Sequence, residues 1–427
     1  MTKTIQNWSG AVKFKPRHYD LPESESALQK ILVEANRDGE KIRLIGSGHS
    51  FSPLIRTEGR LLSLDRMQGI VETRADGQVT AWGGTKLWHL NELLYGVGRA
   101  LENMGDIDRQ SIAGTISTGT HGTGKKFGSV STQLSGIRLV TASGEILELS
   151  ESDGDLFRAA QVSLGALGVV SQVRLRTIPA YKLKLVQKKE TVEECLANLD
   201  RRAAEHRHFE FYTFPHTGVA QTKDVDMSEE APTSAAKVFL NDMVVENILF
   251  KALSEVSRRV PGTTIPVAKI CGMGVGSNTK CDWSHRIFRM PRLVRFNEME
   301  YSIPAEAMAD AVREIMAMIE RERIKVHFPI ECRFVKGDDI FLSPAHGRDS
   351  AYIAVHSYKG MPYEDYFRRV ENIFRNHGGR PHWGKMHTLT GKDFVKLYPK
   401  WETFREIRNR LDPKGIFLNE QLRSFFG

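Results

Sequence analysis

The stretch Ile42-Arg43-Leu44-Ile45-Gly46-Ser47-Gly48-His49-Ser50-Phe51 constrains this chain more than any other. An apolar-rich strand runs into a tight Gly-Ser-Gly turn with a histidine at its exit. The two glycines permit positive φ and let backbone N–H groups approach an anion closely. Such a turn suits a pyrophosphate, and the histidine puts a nucleophilic ring nitrogen beside it. A nicotinamide fingerprint would need a third glycine and a helix straight after it. Phe51 stands where that glycine belongs, and Ser52-Pro53 breaks any helix. The nicotinamide reading is excluded. Two remain open: a turn that holds a flavin dinucleotide and bonds to it, and a purely structural corner.

At 427 residues, with 41% hydrophobic and 26% charged residues, the chain has room for two domains or one large mixed one. No apolar run approaches the roughly 20 residues of a membrane span. Residues Met1 to Trp8 contain no apolar leader core, so a cytoplasmic location is expected. Cys195, Cys271, Cys281 and Cys332 are scattered without a Cys-x-x-Cys pair, so neither a metal site nor a disulfide framework is expected. The net charge is +8, but its basic residues are dispersed in short pairs such as Lys125-Lys126. Without a basic stripe interleaved with aromatics, nucleic acid is not the expected partner.

Periodicity predicts a helix over 24–37, strands at 42–45, 61–64 and 78–82, and a helix over 86–96. A strand-turn-strand follows around 140–146, and another strand over 169–177. The connection 103–128 is rich in Gly, Ser and Thr yet carries Ile107, Ile112 and Ile116 as anchors, so it reads as a second backbone cradle. The character changes near Pro179-Ala180-Tyr181. Beyond it, 185–300 reads as long polar helical candidates, and the 216–285 part carries no motif. A helix is expected over 304–321, strands over 326–334 and 351–357, and a helical tail from Leu397.

Taken in order, these segments resemble the aldonolactone oxidoreductases and alditol oxidases of the vanillyl-alcohol-oxidase flavoprotein superfamily. The carrying residues are Gly46-Ser47-Gly48-His49-Ser50, the cradle Gly114 to Gly124, and Ser163-Leu164-Gly165-Ala166-Leu167-Gly168-Val169-Val170. Glu331-Cys332-Arg333, Pro381-His382-Trp383-Gly384-Lys385 and Leu411-Asp412-Pro413 with Phe417-Leu418-Asn419 complete the match. The resemblance implies an α+β chain with a two-part FAD-binding domain of the vanillyl-alcohol-oxidase (PCMH) type. That domain would comprise 1–180 and the returning segment 389–427. A cap over 181–388 would carry a mixed sheet flanked by helices.

It also implies FAD, bonded through a ring nitrogen of His49. The cofactor would lie against Gly46, Ser47, Gly48, Ser50, Gly105, Asp106, Ser111, Gly114, Thr118, Thr120, His121, Gly122, Gly168 and Val169. The implied reaction is oxidation of a sugar-derived alcohol by hydride transfer to the flavin, with an L-gulono- or D-arabinono-1,4-lactone as substrate and O2 reduced to H2O2. An alditol oxidase is one alternative, and a dehydrogenase passing electrons to a cytochrome, quinone or dye is another. A noncatalytic flavin binder is disfavoured, because binding alone needs no charged groups over the ring. Alternation on a strand puts Glu331 and Arg333 on one face, and the resemblance sets Lys385 beside them, with His356 and then His382 ranked behind. Gly105 stands where the resemblance places a residue that admits or blocks oxygen. Asp106 replaces the serine usual in such oxidases.

Overall fold

The computed structural model describes residues 3–234, 247–290 and 292–427, so 235–246 of the motif-free 216–285 stretch lie outside the described residues. Period-two alternation builds its largest sheet. Along the strand Ile330–Val335, Ile330, Cys332 and Phe334 alternate with Glu331 and Arg333, all of them buried. The strand Phe296–Pro304 sets Met299, Tyr301 and Ile303 against Glu298 and Glu300, and Ser350–Tyr358 sets Ile353 and Val355 against His356. One side of the sheet is apolar and shares a core with the helices Met308–Arg321 and Glu364–Asn376; the other is polar.

Eight strands join in the order Asn278–Trp283, Lys182–Thr191, Val219–Met227, His208–Thr213, Ile330–Val335, Ser350–Tyr358, Phe296–Pro304 and Arg380–Pro381. Every pairing in this sheet is antiparallel. This corrects the expected mixed sheet. The helix Met308–Arg321 does carry the chain between two strands of the same direction, Phe296–Pro304 and Ile330–Val335. Ser350–Tyr358 slots between them and pairs antiparallel with both. The same split unit joins Lys182–Thr191 to His208–Thr213, with Val219–Met227 in the gap.

Over 185–300 the expected long helices give way largely to strands. The sequence of Lys182–Thr191 alternates lysine and apolar residues because one side is solvated, a pattern of period two. The strand expected from 326 begins at Ile330, since Pro329 before it has no N–H for the ladder. The 103–128 cradle contains a short helix, Ile112–Ser117, with Ile112 and Ile116 fully buried as anchors. The tail is divided into Gly391–Leu397, Trp401–Leu411 and Glu420–Phe426, the last two separated by Asp412-Pro413.

The amino-terminal part holds a three-stranded parallel sheet, with Arg60–Leu62 between His18–Asp20 and Ile42–Leu44, and a five-stranded antiparallel one. The tail packs back onto the first of these. The Ile42 N–H donates to the Ile416 carbonyl at 2.8 Å, and the Asn419 amide donates to the carbonyls of Pro53, Leu54 and Arg56. Buried Arg43 is the hub. Its guanidinium donates to the carbonyls of Leu54 (2.6 Å), Leu164 (2.8 Å), Gly165 (3.3 Å) and Phe417 (2.6 Å). Burial lowers its pKa to about 9. No helix among the described residues is long and apolar enough to cross a membrane.

Arg43→Ala should therefore strip the Leu164, Gly165 and Phe417 carbonyls of their donor, while the Leu54 carbonyl keeps the Asn419 amide. At about 1–3 kcal/mol per buried group left unsatisfied, the unfolding free energy should fall by at least ~3 kcal/mol. Urea denaturation reads this, and an unchanged midpoint would refute the hub.

Candidate active site

Two clefts meet at the histidine corner. The longer is lined by Gly46 to Ser50, Gly83, Gly84, Ser111, Gly114, Thr118, Gly165 and Gly168. The N–H groups of Gly46, Ser47, Gly48, His49 and Ser50 find no protein acceptor among the described residues. Gly48 has φ +68°, and a Cβ on Gly46 would lie 2.3 Å from Ser111 Oγ. A glycine-lined channel with a row of free N–H donors fits the pyrophosphate and ribityl parts of a flavin dinucleotide. The second cleft is lined by Trp8, Gly105, Asp106, Thr120, His121, Arg292, Glu298, Glu300, Glu331, Arg333, His382 and Lys385. His49, Ser50, Gln110 and Thr118 belong to both. The junction is where a flavin's reactive ring would face a substrate.

His49 stacks on Trp8 with ring centroids 5.9 Å apart. Burial, aided by the charges of Lys385, Lys86 and Arg109, lowers its pKa to about 4. Its ring is neutral at pH 7, and a neutral nitrogen is the nucleophilic form.

The sheet's polar face supplies the charges. Lys223, Glu210 and Arg333 stand directly across from one another on three strands, and Tyr212 stands opposite Glu331 one step along. Arg333 pairs with Glu331, with Glu210 at 2.9 Å and with Asp106 at 3.5 Å. Lys223 reaches Glu210 at 3.0 Å, Arg292 pairs with Asp106, and the Tyr212 hydroxyl donates to Glu331 at 3.0 Å. Lys385 Nζ lies 2.5 Å from Glu298 and 3.9 Å from Glu300. His356 donates through Nδ1 to the Pro329 carbonyl, which leaves Nε2 3.5 Å from Glu298 and 4.0 Å from Glu331.

Burial alone would raise every carboxyl here. Lys385 overrides it at Glu298 and holds that group down at about 2. His121, at 3.2 Å, and Lys385 likewise lower Glu300. Arg292 and Arg333 lower Asp106. Glu331 goes the other way: burial, reinforced by Asp106 and Glu210, outweighs Arg333 and raises its pKa. Lys385 is raised in turn, since Glu298 and Glu300 outweigh its burial, and it stays a cation.

Residues 173–425 match the D-arabinono-1,4-lactone oxidase family and 16–150 match an FAD-binding domain. The L-gulono-1,4-lactone dehydrogenase of Mycobacterium tuberculosis is 40% identical over 100% of both chains. The L-gulonolactone oxidase of Bos taurus is 35% identical over 99% of this chain and 98% of its own. The chain belongs to the D-arabinono-1,4-lactone oxidase family. The cholesterol oxidase of Brevibacterium sterolicum superposes with a TM-score of 0.83 over 100% of this chain and 97% of that one, at 17% identity, and shares the fold. The chain is thus a flavoprotein oxidoreductase with the expected vanillyl-alcohol-oxidase type of fold.

Within this family frame, most of the residues singled out from sequence come together at the two clefts. Three stand elsewhere. Val169 packs in the core with Leu28 and Leu32, and its neighbour Val170 lines the long cleft, because adjacent strand residues point to opposite sides. Gly122 lines a smaller cavity behind the substrate cleft, where a Cβ would meet Asn103 Oδ1 and the Met104 carbonyl, each at 2.4 Å. His356 faces a larger cavity beyond Glu331. Asp106 is an ion-pair partner of Arg292 and Arg333 rather than part of the glycine-lined channel. Although the sequence gives no metal motif, buried His121, Glu300 and His382 bring possible ligand atoms within 4.8 Å of one another. His121 Nδ1 is taken by the Gly122 carbonyl and His382 Nδ1 accepts from the Gly384 N–H, so each ring has one nitrogen left.

Sequence reading missed Glu298 and Glu300, although Glu298-Met299-Glu300 has the same alternation as Glu331-Cys332-Arg333. It also missed the Gly83-Gly84 pair, Gln110, Arg292, Glu210 and Lys223.

The depressed Glu298 makes a pH prediction. Its contribution to stability is full above the ordinary value of 4.5 and is lost as pH falls towards about 2. Glu298→Gln should flatten the decline of the urea midpoint across that window. A variant with the wild-type slope would show that Lys385 does not hold Glu298 ionised.

Proposed function

We propose that this chain oxidises an aldono-1,4-lactone at its C2 hydroxyl, using FAD tethered through His49. Residues 1–180 with 389–427 would hold the cofactor, and 181–388 would form the cap. The observation that carries this reading is the convergence of Glu331, Arg333 and Lys385 on a cleft that joins the glycine-lined channel at His49. Bound FAD supplies a hydride acceptor.

The protein's part is to hold the alcohol and take its proton. Lys385, kept cationic by Glu298 and Glu300, stabilises negative charge growing on the substrate oxygen. Glu331 is the proton acceptor, because its raised pKa makes it the most basic carboxylate at the cleft. Arg333 fixes the Glu331 carboxylate, and Tyr212 donates to it at 3.0 Å. Asp106 is engaged by Arg292 and Arg333, so it offers a polyol no free hydroxyl in the serine's place. That favours a lactone over an open-chain alditol.

The acceptor is a separate question, since relatives include an oxidase in cattle and a dehydrogenase in M. tuberculosis. Gly105 has a packing reason to be glycine: an added Cβ would lie 2.9 Å from the His121 carbonyl oxygen. Its identity therefore bears less on oxygen access than the resemblance implies. Peroxide release on mixing with L-gulono-1,4-lactone, D-arabinono-1,4-lactone and xylitol separates the cases.

Anaerobic flavin bleaching by the lactones in preference to xylitol is the expected result, and no bleaching by any of them overturns the reading. Lys385→Met and Arg333→Ala should slow that bleaching by ~10²-fold or more, the scale of losing one transition-state stabiliser. His49→Ala should release its FAD on acid precipitation; flavin retained in the pellet would refute the tether. The rate of bleaching should fall as pH drops towards the raised pKa of Glu331, where that group takes up a proton. Glu331→Gln should lose this acid limb along with most of the rate.

A further inference from the structure

The small cavity behind the substrate cleft, which Gly122 borders, has a volume of about 50 Å³. It shares Asp106 and Arg333 with the cleft, and Gln187, His208, Glu210 and Lys280 add polar groups to its wall. Half-buried Phe288 and Met290 also border it, so it lies just beneath the surface. A polar space of this size holds a few waters, each needing about 10–15 Å³ and two or more polar partners. His208 marks one of their places. Its Nδ1 donates to the Thr123 carbonyl at 2.8 Å, which leaves Nε2 as an acceptor. That nitrogen is buried and has no partner among the described residues. Burial lowers the ring's pKa to about 4, so it stays neutral and accepting at pH 7.

One hydroxyl joins this cavity to the catalytic carboxylate. Glu331 lines the substrate cleft and Glu210 lines the cavity. The Tyr212 hydroxyl stands between them, 3.0 Å from a Glu331 oxygen and 3.3 Å from a Glu210 oxygen. The sheet makes this bridge, because Glu210 and Tyr212 alternate along one strand and Tyr212 stands opposite Glu331 on the next. Arg333 grips both carboxylates and fixes their spacing. Lys223 donates to the Tyr212 oxygen at 3.3 Å and leaves it a second lone pair.

From the lactone reading of the cleft, on which this step rests, we infer that the substrate's hydroxyl proton leaves Glu331 through Tyr212 and Glu210 into the waters of this cavity, while substrate or product still fills the cleft. The substrate's C–H leaves as hydride to the flavin, its O–H proton goes to Glu331, and its C–O bond becomes C=O. Glu331 then gives that proton to the Tyr212 oxygen as Tyr212 gives its own to Glu210. Burial and the two flanking carboxylates keep Tyr212 far from ionising, so it passes a proton only by this exchange. Lys223 and Arg333 outweigh the burial of Glu210 and lower its pKa, whereas that of Glu331 is raised. Glu210 is therefore a carrier that yields the proton to water, never a store.

Holoenzyme is mixed anaerobically with L-gulono-1,4-lactone in weak buffer containing phenol red, at a pH well above the acid limb of bleaching. Flavin and dye are followed together. In the wild type one proton should reach the dye for each flavin bleached, with the same half-time. Tyr212→Phe cuts the hydroxyl bridge, and Glu210→Gln removes the carrier. Whatever each does to bleaching itself, its proton should trail bleaching by about tenfold or more in half-time, a barrier increase that one lost hydrogen-bonded link supplies. Val225→Phe, whose ring would fill the cavity opposite His208, should delay the proton likewise and leave bleaching unchanged. If it does not fold, the first two variants decide. A proton that trails bleaching in the wild type, or one that keeps pace with it in any folded variant, overturns the proposal. If L-gulono-1,4-lactone does not bleach the flavin, that substrate reading fails by itself, and D-arabinono-1,4-lactone or xylitol replaces it in the same assay. No bleaching by any of them overturns both.

Discussion

Buried carboxylates on one face of a sheet set the terms for everything else in this molecule. Glu210, Glu298, Glu300 and Glu331 all sit on the polar side of the eight-stranded sheet, nearly out of reach of solvent. A buried carboxylate without a partner costs several kcal/mol or gives up its charge. From the sheet itself, Lys223 and Arg333 pair with Glu210 and Glu331, and His356 Nε2 lies 3.5 Å from Glu298. The remaining positive or proton-bearing groups arrive from elsewhere: Lys385 from the loop after Arg380–Pro381, Arg292 from the segment before Phe296, and His121 from the amino-terminal cradle. Asp106 makes the reciprocal reach, from the cradle to Arg292 and Arg333. The eight-stranded sheet and the amino-terminal cradle are thus held in register by charge neutralisation as well as by apolar packing.

Unequal neutralisation is what makes the site chemically useful. Glu298 has a lysine almost in contact and is pinned as an anion; Glu331 shares its arginine with two other carboxylates and is left more basic. Two glutamates on adjacent registers of one sheet so acquire opposite tasks, one securing the cation and one exchanging a proton. The strands place the side chains, but the count of cations around each decides its role.

The parts legible in the sequence were those encoded locally. The glycine turn and His49 lie within five residues, and Glu331 and Arg333 are two apart, so strand periodicity alone puts them together. Glu210, Lys223 and Arg292 were illegible because only the order and register of distant strands brings them to Arg333. Val169 packs in the core while Val170 lines the long cleft, because a motif names a segment and the pleat selects alternate members of it. The expected mixed sheet failed for a related reason: a helical crossover does imply two strands of like direction, but says nothing of a third one entering the gap. The long helices expected over 185–300 rested on polarity, and a strand with one wet side is just as polar.

The Arg43 hub ties the timing of assembly to the closing of the glycine turn. Its partner Phe417 is 374 residues away in the chain, among the most non-local contacts a protein of this length can make. During synthesis the glycine turn and its histidine emerge long before Phe417, whose carbonyl the arginine beneath them grips. The strand Ser350–Tyr358, which completes the charged face, is also late. A nascent chain therefore carries the pieces of a dinucleotide channel long before it has the walls of one. Removing only residues 416–427 would therefore be felt 374 residues earlier, at the arginine beneath the glycine turn.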